Sequence, residues 1–258
     1  MTQTFQVVKI RDNAKEITDD IVAEEIPLTI TLADKELVTL LCMPSDLHDL
    51  VTGFLFTSGL IKRAEDLRKI TINEEQWVAY VDLTRPDIDK DLVFKRLFTS
   101  GCGRGALFYN TADILNRVKI PSSFKISAAK INSLMRKFQE KSQGFLETGG
   151  VHSAALADED NILVFREDIG RHNAIDKVIG KSLEQGSFKD KILLSSGRVS
   201  SEVLFKAQKA GIPIIISQSA PTNQAVSLAK DMEIALVGFA RGNRMNIYSK
   251  EERIICDG

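Results

Sequence analysis

The chain has 258 residues, of which 43% are apolar and 27% are charged, with 34 Lys plus Arg against 35 Asp plus Glu. This composition excludes a mainly disordered chain, and the length allows one large domain or two smaller ones, each with a buried core. The net charge of -1 argues against a broad nucleic-acid-binding face, so an anionic ligand must be met by local basic clusters.

The sequence carries no sign of a membrane or export segment. The strongest short apolar run, Ile212–Ile216, contains a proline and is far shorter than the roughly 18 residues of a membrane span. The N-terminus lacks the basic end, apolar middle and cleavage site of a secretory signal. We therefore expect a cytoplasmic protein without a membrane partner. Cys42, Cys102 and Cys256 form no C-x-x-C pair, which predicts free thiols and no zinc site.

The first third of the chain predicts a small α+β roll. Its short apolar runs are separated by polar residues and resemble a strand meander. The predicted strands are Phe5–Ile10, Ile26–Leu32, Glu36–Leu41, Leu67–Ile72 and Trp77–Leu83. Between them, apolar residues at helical spacing from Leu47 to Leu55 predict an amphipathic helix, with Ser45 or Asp46 as its N-cap.

The second half predicts strands that alternate with helices. The predicted strands are Ala154–Ala157, Ile162–Phe165, Ile192–Leu194, Pro213–Ser217 and Ile234–Phe239. The predicted helices are Ser127–Gln143, Asn173–Leu183, Ser200–Ala210 and Thr222–Lys230. This alternation indicates an α/β sheet with parallel pairs and covered faces, in which ligands bind beyond the carboxyl ends of the strands.

A glycine-rich loop lies between these two regions. In Thr99–Gly105, three glycines surround Cys102, and Arg104 follows two residues later. A nearby cation lowers the pKa of a thiol, so this segment fits a reactive-thiol loop. A semi-buried cysteine in a turn is an equally simple interpretation. A dinucleotide fingerprint over Gly101, Gly103 and Ala106 is weak, because it needs an opening helix and an acidic residue about 20 positions on.

The densest polar run is Arg166–Asn173, between a predicted strand and a predicted helix. Arg171, His172 and Asn173 would occupy the first helical turn, where free N–H groups favour an anion. His172 and Asp176 are spaced to pair along the helix. A capped helix start with solvated charges explains the run equally well.

Further polar turns follow the next predicted strands. Ser195–Arg198 combines hydroxyls with a glycine and an arginine, and Gln218–Asn223 carries two further hydroxyls. Several such polar turns at one sheet edge are typical of a binding rim. After the last predicted strand, an aromatic ring and two arginines surround a glycine, a pattern that suits phosphate and a heteroaromatic ring. The residues of this segment are Phe239, Ala240, Arg241, Gly242, Asn243 and Arg244.

Together these segments resemble the FdhD family of formate dehydrogenase accessory sulfurtransferases over nearly the whole chain. The stretches that carry the resemblance are EEIPLTITL, MPSDLHDLVTGFLFTSGLI, TSGCGRG, TGGVHSAAL, REDIGRHNAIDKVIG, LSSGRVSSE, SQSAP and VGFARGNRMNIY. The resemblance implies an α/β fold with an N-terminal α+β roll at 1–91, a reactive-cysteine loop and linker at 92–121, and a cytidine deaminase-like α/β domain at 122–258.

The resemblance also implies a sulfur carrier. A cysteine desulfurase would pass sulfur to Cys102 as a persulfide, which would supply the molybdenum cofactor, a bis(molybdopterin guanine dinucleotide), before its insertion into formate dehydrogenase. The family's cofactor-binding segment matches Phe239–Arg244, and a homodimer is implied. Deaminase zinc chemistry is not expected, because Ser153 and Ala154 follow His152 and no C-x-x-C pair exists.

One departure from the family pattern keeps a second function open. Many members have C-G-x-C-G in this loop, and the second cysteine is replaced here by Gly105. A single persulfide can still form on Cys102. The alternative is a cofactor-binding chaperone for formate dehydrogenase without sulfur-transfer chemistry. Of the remaining residues, Cys42 is predicted to be a core thiol, His48 a surface residue and His152 a candidate pocket residue.

Overall fold

The computed structural model describes residues 1–33, 35–84, 117–184 and 186–256, together with the backbone of two short strands at 96–98 and 106–108. Its β-strands are β1 Thr2–Arg11, β2 Ala14–Ala23, β3 Ile26–Leu32, β4 Lys35–Cys42, β5 Leu67–Asn73, β6 Val78–Leu83, β7 Arg96–Phe98, β8 Ala106–Phe108, β9 Ile126–Ser127, β10 His152–Ala157, β11 Ile162–Asp168, β12 Ile192–Ser195, β13 Ile214–Ser217, β14 Ala235–Arg241, β15 Arg244–Ser249 and β16 Ile254–Ile255. Its α-helices are α1 Leu47–Thr57, α2 Ala128–Lys141, α3 Gln143–Thr148, α4 Arg171–Leu183, α5 Ser201–Ala210 and α6 Asn223–Asp231.

A six-stranded sheet organises the second half of the chain and confirms the predicted α/β fold. Its strand order is β11-β10-β12-β13-β14-β15. The three central strands β12, β13 and β14 are parallel, and β10, β11 and β15 complete the sheet by antiparallel pairing. Helices α5 and α6 connect the parallel strands, as the short apolar runs and the helical segments between them predict.

Both faces of this sheet are covered, which explains why its inner strands β12 and β13 are apolar at nearly every position. Leu193 and Ile215 belong to a core shared with α1, α4, α5 and α6. Their neighbours Leu194 and Ile214 belong to a second core, which α2 closes with Leu134, Met135 and Phe138. Because successive residues of a strand point to opposite faces, a sheet covered on both sides needs apolar residues throughout.

The N-terminal region has its own four-stranded sheet, with the order β4-β3-β6-β5. The predicted meander is wrong for this region. Strands β3 and β4 form one hairpin, β5 and β6 form another, and the two join through parallel pairing of β3 with β6. The apolar runs could locate these strands but could not decide which of them are neighbours.

Helix α1 joins the two regions, because it packs chiefly against α4. The two helices touch at Gly53 and Gly180. A Cβ added at Gly53 would lie 1.8 Å from the carbonyl oxygen of Asp176, and one added at Gly180 would lie 2.0 Å from that of Asp49. Only residues without a side chain permit this approach. The apolar core is therefore continuous across residue 91, and the predicted division into three segments stays a prediction.

The start of α1 differs from the prediction. Asp46 is the N-cap residue, with a φ of 51°, but its side chain makes no capping hydrogen bond. The Ser45 hydroxyl accepts from the Lys177 ammonium at 3.5 Å. The Asp46 carboxylate instead lies 3.2 Å from Nε of Arg166. An ion pair with a distant strand has replaced the local cap.

Several elements were not evident from the sequence, among them β2, β15 and helix α3. Strand β2 pairs with β1 in a long hairpin whose side chains are mostly exposed, so no apolar pattern marks it. Helix α3 follows α2 directly and contains Gly144, where the pattern predicts only the end of the preceding helix. Within the described residues, no helix is both long enough and apolar enough to cross a membrane.

Candidate functional site

The polar turns predicted to form a binding rim do meet at one edge of the six-stranded sheet. Since β12, β13 and β14 are parallel, their carboxyl ends lie side by side, and the turns 195–200, 218–222 and 239–243 follow them. Strand β10 runs the opposite way, so its first residue, His152, lies at the same edge. Helix α4 begins there too, after the end of β11. We call this edge the rim.

Hydrogen bonds hold the rim turns together. The Ser217 hydroxyl donates to the carbonyl oxygen of Gly197 at 2.7 Å, which ties the turn after β12 to the turn after β13. The Ser196 hydroxyl accepts from the backbone N–H of Ser153 at 2.9 Å. The turns are therefore preorganised by the sheet and do not have to order when a ligand binds.

Phe239–Arg244 lies at one end of the rim, where β14 turns into β15. Gly242 has a φ of 58°, which suits glycine in a tight hairpin turn. Phe239 also has a positive φ of 53°, and its side chain is 41% exposed. Arg241 donates through Nε to the carbonyl oxygen of Gln218 at 2.9 Å, and Arg244 is exposed. An exposed ring beside two guanidinium groups can stack on a heteroaromatic ring and bind phosphate.

A groove of about 430 Å³ borders this hairpin and separates it from α2. Gly242 and Asn243 form one wall, and polar residues of α2, among them Asn132, Arg136 and Gln139, form the other. The sequence pattern predicted α2 as an amphipathic helix and did not assign its polar face to the site. The signal was present, since Arg136 and Gln139 fall outside the buried stripe of that helix and are exposed.

The other end of the rim is basic. A Cβ at Gly197 would lie 2.9 Å from the Cβ of Arg171 and 3.4 Å from Nδ1 of His152, so this glycine lets three elements approach closely. His152 lies within 3.2 Å of the Ser196 hydroxyl. Burial lowers the pKa of His152, and the charges of Arg171, His172 and Arg198 lower it further. His152 is thus a neutral imidazole among cations, and its role as a pocket residue stays a prediction.

The predicted pairing of His172 with Asp176 is wrong. Nε2 of His172 lies 2.8 Å from a carboxylate oxygen of Glu202, on α5. Burial lowers the pKa of His172, and the Glu202 carboxylate partly offsets this shift. Spacing along one helix suggested Asp176, but a carboxylate on a neighbouring helix is closer.

Most side chains of the dense polar run Arg166–Asn173 are bonded to other parts of the protein, and we call this set of contacts the clamp. The run is neither a solvated cluster nor a capped helix start. Arg166 donates to the Asp49 carboxylate at 2.7 Å. The Glu167 carboxylate accepts from the backbone N–H groups of Gly144 and Phe145. These bonds fasten strand β11 to α1 and α3.

Asp168 is the centre of this clamp and is fully buried. Its carboxylate lies 2.7 Å from the Lys177 ammonium and accepts from the backbone N–H groups of Met43 and Gly170 and from the side-chain amide of Asn173. A buried carboxylate needs such a set of donors to offset its lost hydration. Through Met43, the N-terminal region is thereby bonded to Asp168, just before the start of α4 at the rim.

A second buried pair links α1, α4 and α5. The Lys206 ammonium lies 2.6 Å from the Asp176 carboxylate, and both side chains are only 3% exposed. The Thr57 hydroxyl donates to the same carboxylate at 2.8 Å. Asp176 therefore belongs to the framework beneath the rim.

The structure describes two of the three cysteines, and they differ in exposure. Cys102, Arg104 and Gly105 lie outside the described residues. Cys42 is buried, as predicted, and Cys256 is exposed. Burial and the neighbouring Asp168 raise the pKa of Cys42 to about 12, so its thiol is protonated at neutral pH. Ala106, which a dinucleotide fingerprint would place in a helix, lies in strand β8.

We expect Cys42 to resist alkylation in the folded protein. With so high a pKa, its thiolate is scarce, and iodoacetamide at pH 8 should modify it at least about a hundredfold more slowly than in urea-unfolded protein. Peptide mass analysis after timed quenching measures this rate, with exposed Cys256 as the internal control. Equal rates for Cys42 in the folded and unfolded protein would contradict the buried placement.

The described residues contain no group of three or more His, Cys, Asp or Glu side chains that could hold a metal ion.

Comparison with known proteins identifies relatives that match most of the chain. The model of the FdhD/NarQ family matches residues 23–255. The sulfur carrier protein FdhD of Bacillus subtilis is 43% identical over 238 residues, covering 92% of this chain and 91% of that protein. The protein of the same name from Halalkalibacterium halodurans is 42% identical over 260 residues, covering 99% and 96%.

A solved structure is similar as well. The crystal structure of a candidate formate dehydrogenase accessory protein from Desulfotalea psychrophila has a TM-score of 0.78 to this chain, with 29% sequence identity. The similarity covers 98% of this chain and 99% of that one. The whole fold, with both its N-terminal and its C-terminal sheets, is therefore shared with that protein.

Proposed function

Because the chain belongs to the FdhD/NarQ family, we propose that it is a cytoplasmic sulfur carrier that serves formate dehydrogenase. Cys102 accepts sulfur from a cysteine desulfurase and holds it as a persulfide. The substrate that receives the sulfur is the molybdenum cofactor in its bis(molybdopterin guanine dinucleotide) form, bound through Phe239–Arg244. The names of the relatives support the sulfur-carrier role and the link to formate dehydrogenase.

The first chemical step is a thiol exchange. The Cys102 thiolate attacks the outer sulfur of the persulfide on the desulfurase, a new S–S bond forms, and the desulfurase cysteine leaves as a thiolate. Arg104, two residues away, can favour the Cys102 thiolate. Conversion of the carried sulfur into sulfide takes up two electrons, which we assign to a thiol reductant.

The observation that carries the proposal is the rim, where three parallel strands deliver hydroxyl-lined and arginine-bearing turns to one edge. Phe239 is exposed there in the same hairpin as Arg241 and Arg244, and the groove along α2 borders this hairpin. Ligands of open α/β sheets bind at this edge. An aromatic face and two guanidinium groups match the pterin or guanine ring and the phosphates of the proposed substrate.

We expect the wild-type protein to gain one sulfur atom when it is incubated with a cysteine desulfurase and cysteine. Intact-mass analysis detects this addition, which dithiothreitol should remove. Cys102→Ser should abolish it, because that variant has no thiol in the loop. Cys256→Ser, which removes an exposed thiol elsewhere, is the matched control and should keep the label. Labelling of Cys102→Ser to the wild-type level would overturn the sulfur-carrier proposal.

The alternative is a cofactor-binding chaperone, and Gly105 is the residue that favours it, since a second loop cysteine is missing. Complementation separates the two functions. Formate dehydrogenase activity in cells that lack the native protein should be lost with Cys102→Ser if the protein carries sulfur. Full rescue by Cys102→Ser would favour the chaperone.

A further inference from the structure

The β1–β2 hairpin carries large apolar side chains that face water. Val8 and Ile17 lie opposite each other across the two strands, and both are exposed. Ile10 and Ile21 are exposed as well, and they lie on the same face as Val8 and Ile17, because alternate residues of a strand share a face. An exposed apolar surface of this kind is typical of a site that binds another protein.

Strand β1 also has a free backbone edge, since it pairs only with β2 among the described strands. The backbone N–H of Glu24 donates to the carbonyl oxygen of Met1 at 3.0 Å. Bonded pairs alternate along an antiparallel ladder, so the odd-numbered residues of β1 bond to β2 and the even-numbered residues point away from it. The residues with outward N–H and C=O groups are Thr2, Thr4, Gln6, Val8 and Ile10.

This free edge lacks two common obstacles to pairing with another chain. The β1–β2 register runs from Thr2 to Arg11 without a bulge, and β1 contains no proline. Natural edge strands are often short, bulged or interrupted by proline, which prevents the addition of a further strand. An isolated two-stranded hairpin is only marginally stable in water, so a third strand on this edge would stabilise it.

The charges of β1 indicate which strand would fit. Lys9 and Arg11 are the two charged side chains of β1, and neither forms an ion pair with a described residue. They lie on the opposite face from Val8 and Ile10. A complementary strand therefore carries apolar side chains on one face and acidic side chains on the other.

The hairpin begins beside the rim. A Cβ added at Gly150 would lie 3.7 Å from the Cβ of Ala23, the last residue of β2. Gly150 precedes His152, the residue of β10 at the rim, by two positions. Helix α3 also packs against β2, which leaves the edge of β1 on the outer side of the hairpin. A protein that takes a ligand from the rim would therefore approach this hairpin.

We propose that the free edge of β1 binds an extended, acidic segment of formate dehydrogenase as a third strand. This inference rests on the proposed function, in which formate dehydrogenase takes the cofactor from this protein. Backbone hydrogen bonds to the outward residues of β1 provide affinity. Acidic side chains opposite Lys9 and Arg11 fix the direction and register of the added strand.

Biolayer interferometry tests this docking with the full-length protein and formate dehydrogenase purified from cells that cannot make the molybdenum cofactor. Gln6→Pro removes an outward N–H and leaves the bonds to β2 in place. It should weaken binding at least about tenfold, because it removes a hydrogen bond and its ring obstructs the incoming strand. Gln6→Ala is the matched control, since it loses the same side chain but keeps the N–H, and it should bind as the wild type does.

A second variant tests the charges without a change of backbone. Lys9→Gln with Arg11→Gln should weaken binding and reduce its dependence on salt, because the attraction for acidic side chains is lost. Lys15→Gln removes a charge from β2 and should leave binding unchanged. Wild-type affinity in both the proline variant and the double charge variant would overturn the proposal.

Two further measurements separate this proposal from other outcomes. A change from dimer to monomer in Gln6→Pro but not in Gln6→Ala, measured by light scattering, would assign the edge to a second copy of the chain and overturn the proposal. Gln6→Pro should still accept sulfur at Cys102, because that labelling involves no formate dehydrogenase. If the wild type took no label but bound formate dehydrogenase through this edge, the sulfur carrier would be refuted and the docking edge retained.

Discussion

Gly180→Ala is expected to destabilise the protein by about 3 kcal/mol or more, even though alanine is the better helix former. The added Cβ would lie 2.0 Å from the carbonyl oxygen of Asp49 and 2.7 Å from the amide nitrogen of Gly53. Both neighbours are backbone atoms, so no side-chain rotation can relieve the overlap. The helices must move apart by roughly 1 Å, which opens the packed core between them.

Chemical denaturation followed by far-UV circular dichroism measures this loss. Gly53→Ala should behave in the same way, since its Cβ would lie 1.8 Å from the carbonyl oxygen of Asp176. The matched control is Gly150→Ala, where the nearest atoms to a Cβ are 3.7 Å away or more. We expect the control to stay within about 0.5 kcal/mol of the wild type. Wild-type stability in Gly180→Ala would show that α1 and α4 do not cross as closely as described.

Five of the six strands of the C-terminal sheet were predicted from the sequence, and β15 was not. In the N-terminal sheet the strands were located but their neighbours were not predicted. Runs such as Ile192–Leu194 are apolar at every position because helices cover both faces of the sheet. Strand β2 was missed because its side chains face solvent on a hairpin that pairs only with β1 among the described strands. Its sequence therefore carries little apolar signal.

The rim was predictable for a topological reason. Parallel strands deliver their following turns to one edge, so a repeated Ser-rich and Arg-bearing turn predicts a shared site without knowledge of any distance. The partners of individual charges were not predictable in this way. His172 pairs with Glu202 and Asp176 with Lys206, and both partners come from a helix 30 residues further along the chain. Local spacing cannot reveal such contacts.

The clamp at Arg166–Asn173 fixes the position of the neighbouring rim residues. Arg166, Glu167 and Asp168 bond to the N-terminal region and to α3, and thus fix where α4 begins. Arg171 is the first residue of α4 and lies at the basic end of the rim, so its position depends on the clamp. A substitution in the clamp should therefore change ligand binding through the position of α4 as well as through stability.

Lys206→Met is expected to cost about 3–5 kcal/mol, because it leaves the Asp176 carboxylate buried without its cation. The Asp176 side chain is 3% exposed, and of its two partners in this cluster only the Thr57 hydroxyl would remain as a hydrogen-bond donor. One hydroxyl cannot offset the loss of hydration of a buried charge. The same denaturation measurement reports the change in the free energy of unfolding.

The double variant Lys206→Met with Asp176→Asn separates the charge effect from lost packing. It removes both charges and keeps the shapes of the side chains nearly unchanged, so it should be more stable than Lys206→Met alone. Lys119→Met is the matched surface control, since Lys119 forms a bridge of similar length to Glu233 at 2.8 Å but its side chain is 69% exposed. We expect no measurable shift of its unfolding midpoint, because water already solvates that pair. If Lys206→Met were as stable as the control, the Asp176–Lys206 pair could not be the buried link between α4 and α5.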